Sequence, residues 1–341
     1  MRAFLKTLYS SFRRKPESSI FKGLWIPTGA CPVPRHGVGM TFLKVFGILS
    51  CLLVSVVHAE PVQFNLKDSV CHSLAADIYV VADRSEQEKA TQGLYTAMDH
   101  ARETCQRLNT EEAASEIAQI NEKGEGTYNV SEELSFALEE ALKVSGWTDG
   151  MFDITYPSGA AVFTIKDFRR LNFNRKKKTL TVKSPGMILD FRYMLRGVLA
   201  DQIARDLQGH GWKNCFIEIS GVTVVRGQDA NGPWKVAVDD QSKGAAKHAF
   251  RYKVQDIGIA TVAAEMLGTL RHPKTKQTIT SDLTAATVFT ETAAQAEGLA
   301  AGLIFLGKDR GLILLKNLPS IQAVLVDKEG KFHRTKKAKA P

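Results

Sequence analysis

From residue 75 onward, the apolar residues of this 341-residue chain switch between two spacings, and each spacing fits one kind of element. Over 75–82 (AADIYVVA) they alternate, which reads as a strand. Over 85–108, Ala90, Leu94, Ala97, Met98, Ala101 and Cys105 fall at helical intervals, so this stretch predicts a long amphipathic helix opened by a Ser85 cap. A second helix fits 131–147, where Glu132 and Glu133 meet the positive end of the helix dipole. Short β-rich runs follow at 179–182 and 187–191, then a helix near 195–211 and strands at 215–220, 222–226 and 234–239. The last third repeats the alternation with a strand at 285–290, a helix at 293–306, another short helix, and a hairpin through Asp327 to Gly330. Elements in this order predict an α+β fold in which long helices pack on largely antiparallel sheet, with no internal repeat and no clear linker.

Charge is concentrated at the two ends. The formal net charge is +9, but residues 1–59 carry +7 of it and residues 331–341 carry +5, leaving 60–330 at −3. A mildly acidic body has no general electrostatic case for binding nucleic acid, which relies on many phosphate-neutralising cations. From Met40, a short cationic start (MTFLK), an apolar run (VFGILSCLLVSVV) and the ending Val57-His58-Ala59 match a secretory signal peptide cleaved before Glu60. The run falls short of the roughly 20 apolar residues of a membrane span. An uncleaved membrane anchor and a lipoprotein built on Cys51 are the alternatives. The expected organisation is therefore a non-native extension over 1–39, a signal peptide over 40–59, a folded domain over 60–330 and a solvated basic tail over 331–341. The expected location is exported and periplasmic. An exported chain would keep Cys71, Cys105 and Cys215, which allow a Cys71–Cys105 disulfide or buried, free thiols.

No Walker loop, GxGxxG, HExxH or serine elbow is present. The densest informative cluster is Thr148-Asp149-Gly150-Met151-Phe152-Asp153-Ile154-Thr155, directly after the second helix. It offers backbone donors, a tight turn and a carboxylate in one place, which suits gripping a polar cofactor edge. It reads equally as a helix stop followed by an Asx or ST turn.

The segment TDGMFDIT resembles the T-x-G-x-F-D-x-T element of the ApbE-type FAD:protein FMN transferases. Other segments resemble that family in the same order. Ser115 to Asn121 resembles S-E-L-S-x-L-N, and Leu189-Asp190-Phe191 with Arg196-Gly197 and Asp201 resembles D-L-G-G-x-A-K-G-Y-x-x-D. Asn214 to Ser220 and then Gly232-Pro233-Trp234-Lys235-Val236 resemble two further strands, and 285–307 resembles the closing strand and helix. The likeness covers nearly all of 70–310.

The resemblance implies an ApbE-like flavin transferase fold that binds FAD with Mg²⁺ and moves FMN onto a Thr or Ser hydroxyl of a target protein, releasing AMP. It implies a target in exported respiratory or electron-transfer machinery. It also implies flavin contacts from Met151, Phe152, Asp153, Asp190 and Arg196. Mg²⁺ takes oxygen ligands in a near-octahedral array. Here the family's metal Asp falls at Glu297, while Tyr193, Ala300 and Ala301 stand at other metal-site positions. The carboxylate of the G-G-D element is replaced in Ser220-Gly221-Val222, and glycines of the strand-to-helix element become Arg192 and Tyr193. Glu297 alone is a weak metal site and reads equally as part of a polar helix face. These departures set a transferase with altered metal dependence beside a non-catalytic flavin-binding or protein-interaction module of the same fold. No catalytic residue and no oligomeric state follow from the sequence.

Overall fold

The structure is a computed structural model that describes residues 61–71, 74–156, 167–239, 248–272, 275 and 277–335. The chain divides after Ala59, and the described residues all belong to the second unit, Glu60–Pro341. The expected extension and signal peptide, with Cys51, lie outside the described residues, as do residues 336–341 of the expected tail.

The strands are β1 Pro61–Cys71, β2 Leu74–Asp83, β3 Gly126–Asn129, β4 Leu171–Asn174, β5 Thr179–Val182, β6 Cys215–Ile219 and β7 Val222–Arg226. They continue with β8 Trp234–Asp239, β9 His248–Val254, β10 Ile257–Ala263, β11 Leu283–Thr290, β12 Gln322–Asp327 and β13 Phe332–Arg334. The helices are α1 Gln87–Leu108, α2 Glu116–Lys123, α3 Glu132–Trp147, α4 Leu195–Gly209, α5 Ala293–Leu306 and α6 Lys308–Lys316. Eight strands form one sheet in the order β1-β2-β6-β7-β10-β11-β12-β13, and every neighbouring pair is antiparallel. The α+β architecture expected from the periodicity is the architecture found.

The sheet is covered on both faces. Ile78, Val80, Ile217, Ile219, Val222, Val224, Ala260, Ala286, Val288 and Leu325 share one core with α1, α3, α4 and α5. Their sequence neighbours Ile259, Phe289 and Val324 point the other way, into a second cluster with Val236 and Val238 of the β8–β9 hairpin. Successive strand residues face opposite sides, so a sheet covered twice shows apolar residues at consecutive positions. This is why β7 (VTVVR) is buried at four consecutive positions, and why β10 (IGIATVA) offers no clean alternation.

Four features differ from the expectation. Ser85 does not cap α1: it lies within a 3-10 turn, Arg84–Glu86, and the helix opens after Glu86 with no side-chain cap. Residues 187–191 form no strand, because their hydrogen bonds leave the ladder. The Asn121 side chain donates to Leu189 O and accepts from Leu189 N, and Asp190 N donates to Ile154 O. The expected tail begins inside the sheet, since β13 pairs with β12 and the Arg334 guanidinium stands over the Phe250 ring. Helix α4 ends at Gly209, ahead of Gly211, whose φ of 93° does not continue a helix. Cys71 and Cys105 are disulfide-bonded, tying the end of β1 to α1. Cys215 is free and buried, and burial pushes its thiol up to about 12. No helix among the described residues is long and apolar enough to cross a membrane.

Candidate functional site

The segment after α3 is built as a helix stop. Thr148 Oγ1 donates to Val144 O at 2.9 Å and accepts from Phe152 N at 3.1 Å, folding the chain back on the helix end. Asp149 and Gly150 both take positive φ, 49° and 77°, and Gly150 N donates to Ser145 O. Glycine at the second position suits this left-handed turn because it has no Cβ. The turn delivers Phe152 onto α5, where its ring and stem rest against Gly298 and Gly302. Met151 and Phe152 are each 4% exposed. They are placed as core contacts, where the resemblance implied flavin contacts.

Asp153 closes an Asx-type turn. Its Oδ1 accepts from Thr155 N and Thr155 Oγ1, both at 2.8 Å, and its Oδ2 accepts from Phe168 N at 3.0 Å. Burial raises its carboxyl above the usual range, although all three hydrogen bonds favour the charged form. Asp190 is also committed locally. Its Oδ1 accepts from Arg192 N at 2.9 Å, and Arg192 Nε stands 2.6 Å from Oδ2, an ion-pair contact whose angle falls outside a hydrogen bond. Tyr193 sends its hydroxyl to Leu267 O at 3.1 Å. Met151, Phe152, Asp153, Asp190 and Tyr193, with Ile154, Tyr156 and Phe305, line a cavity of about 10 Å³. That is room for at most one water, against roughly 300 Å³ or more for a typical ligand pocket. Four of the five residues expected at the flavin, Met151, Phe152, Asp153 and Asp190, stand together here and close on one another.

The centre of the site is the crossing of α4 and α5. Arg196 Nε donates to Glu297 Oε1 at 2.6 Å, and Arg196 Nη1 donates to Ser220 O at 2.7 Å. Glu297 Oε2 accepts from the backbone N of Gly197 at 2.7 Å. Asp201, one turn further along α4, returns the contact by accepting from Ala293 N and Ala294 N at the start of α5, at 3.0 and 2.9 Å. Each helix thus supplies a carboxylate to the N-terminal N–H groups of the other, where unpaired donors and the positive dipole end favour an anion. Burial pushes the Asp201 carboxyl up to about 6, against the two N–H groups and Arg226 that favour its ionised form. The helices approach closely here because residue 197 is glycine. A Cβ at that position would lie 2.4 Å from Ala293 O.

Sequence reasoning treated Asp201 and Asn121 as motif members and gave neither a role. For Asp201 the signal was spacing: it lies four residues after Gly197, as Glu297 does after Ala293, the interval that stacks side chains one turn apart.

This donor set does not fit Mg²⁺. Both Glu297 oxygens are engaged, and the residue is fully buried. Ala300, Ala301 and Val222 are apolar and fully buried. Val222 sits inside β7, opposite Ile219 and Ala260. A divalent ion about 4 Å from the Arg196 guanidinium would be repelled by roughly 8 kcal/mol at an effective dielectric of ~20. Among the described residues, no group of three or more His, Cys, Asp or Glu is placed to hold a metal. His272, in the basic loop after β10, lends Nδ1 to Thr275 N at 3.3 Å.

Residues 75–325 match the model of the ApbE family. A FAD:protein FMN transferase of Vibrio cholerae serotype O1 is 24% identical over 253 residues, spanning 65% of this chain and 76% of that protein. The FAD:protein FMN transferase of Escherichia coli K12 is 24% identical over 267 residues, 67% of this chain and 75% of its own length. Among solved structures, the flavin transferase ApbE from Vibrio cholerae superposes with a TM-score of 0.67 at 20% identity, over 81% of this chain and 97% of that one. The apo flavinyl transferase ApbE of Pseudomonas stutzeri gives the same TM-score and identity, over 81% and 94%. The family match extends from β2 to β12 and includes every element that builds the α4–α5 crossing, so the chain belongs to the ApbE family.

Proposed function

We propose that this chain serves the FAD:protein FMN transferase function of its relatives, with FAD and a target protein as its substrates, through a site that has exchanged metal ligands for an internal ion pair. The observation that carries the reading is the clamp between Asn121 and Leu189, because it joins two family-like segments, 115–121 and 189–201, the second of which runs into α4. In the proposed reaction, the target's Thr or Ser oxygen forms a bond to the FMN phosphorus. The bridging P–O bond of FAD breaks, AMP leaves with the bridging oxygen, and the hydroxyl proton passes to a base. The chain's own contribution is to position groups: Asn121 fixes the segment carrying Asp190, and Glu297 fixes Arg196. No step is assigned to Mg²⁺.

The proposed setting is the periplasm, reached by the signal peptide starting at Met40, and the proposed target belongs to exported respiratory or electron-transfer machinery. A second reading, a non-catalytic flavin-binding or protein-interaction module of the same fold, is favoured by the complete engagement of Glu297 and the 10 Å³ cavity.

Incubation of residues 60–341 with FAD and a flavinylation-target domain separates the two. Covalent fluorescent labelling of the target, with AMP released in equal amount, supports transfer. Reversible FAD binding without labelling supports the module, and the absence of both sinks the flavin reading.

A further inference from the structure

The mismatch between the expected metal and the residues in its place has a chemical consequence. Arg196 is held from two sides, by Glu297 Oε1 and by the carbonyl of Ser220. The second contact comes from the β6–β7 turn, where Ser220 and Gly221 both take positive φ, 44° and 92°. The guanidinium is therefore fixed by a helix and a turn, with its side chain only 11% exposed. Nε and Nη1 are used, while Nη2 has no hydrogen-bond partner among the described residues. A guanidinium is always charged and its donors lie in a rigid fork, so one held this way can present its remaining N–H groups to a phosphate oxygen.

We propose that Arg196 takes the place of the divalent ion in this site and receives a diphosphate without metal. Glu297 then acts as the positioning residue that aims the guanidinium. The inference rests on the flavin reading for its physiological ligand, the diphosphate of FAD.

The test uses two probes. The first is FAD, titrated by flavin fluorescence against residues 60–341 in the presence of Mg²⁺ or of a chelator. The expected result is the same affinity in both, with Arg196→Gln weakening binding by about tenfold or more and Arg196→Lys recovering part of the loss. An Mg²⁺-dependent tightening of about tenfold that disappears in Glu297→Gln would overturn the proposal. The second probe is inorganic pyrophosphate, followed by thermal melting of the same protein. Stabilisation that survives chelation and is lost in Arg196→Gln supports the proposal even if FAD fails to bind, in which case only the flavin reading falls. A wild-type protein that gains no stability from pyrophosphate in chelator contradicts the proposal whatever FAD does. The wild-type comparisons need no variant to fold.

Discussion

Asp201 and Glu297 perform the same task in opposite directions: Asp201 on α4 accepts the first two N–H groups of α5, and Glu297 on α5 accepts the Gly197 N–H of α4. The two carboxylates lock the helix pair that carries the candidate site. The burial of Asp201 makes the lock sensitive to protonation, and the close approach at Gly197 makes it sensitive to volume.

The Asp201 carboxyl is raised by burial from 3.8 to about 6. A raised carboxyl contributes stability that is fully present below 3.8 and lost as pH climbs through about 6. Urea unfolding between pH 4 and 7 should therefore show a fall of about 2–3 kcal/mol from this group, flattened in Asp201→Asn. An unchanged slope in the variant would remove Asp201 as its source.

Gly197→Ala places a methyl 2.4 Å from the Ala293 carbonyl, where both neighbours are backbone. Helices cannot separate here without breaking the carboxylate contacts, so the cost should reach about 3 kcal/mol or more. Thermal melting checks this, with Gly209→Ala as a control, since a Cβ there meets nothing within 4 Å.

His100 joins three helices, with Nδ1 2.9 Å from Asp206 Oδ2 and Nε2 3.0 Å from Glu133 Oε1. Burial works to lower its pKa, but the two carboxylates outweigh it and raise it above 6.5. The stabilisation is therefore present below pH 6.5 and fades as pH rises through the higher folded value. Melting temperatures of the wild type should drop more between pH 6 and pH 9 than those of His100→Gln.

The Cys71–Cys105 disulfide closes a loop of 34 residues. Chain-entropy arguments give such a closure about 3–4 kcal/mol. The Cys71→Ser, Cys105→Ser double variant should unfold at correspondingly lower urea. Cys215 should resist alkylation in the folded protein, because burial holds its thiol up to about 12.

α1 was legible in the sequence because it buries one stripe, with Ala90, Leu94, Ala97, Met98 and Ala101, whereas α2 was not read as a helix and α5 is buried on every side, from Ala293 to Phe305. β10 was not anticipated, since strands buried on both faces lose their alternation. The run 187–191 looked like a strand, yet a side-chain amide 68 residues away satisfies its backbone. The helix stop after α3 was readable from Thr148, Gly150 and Asp153, because its partners lie within a few residues or at Phe168. Glu297 was the hardest to read. On its own helix it suggests a metal ligand or a polar face, and only the fold brings it to Arg196 and Gly197, about a hundred positions earlier.

Both Glu297 oxygens belong to Arg196 and Gly197, which leaves none for a metal. A double-mutant cycle on Glu297→Gln and Arg196→Met, measured by urea unfolding with Mg²⁺ and again with chelator, tests it most directly. The expected coupling is about 2–3 kcal/mol and the same in both conditions. A coupling near zero, or a wild-type stabilisation by Mg²⁺ that vanishes in Glu297→Gln, would contradict it.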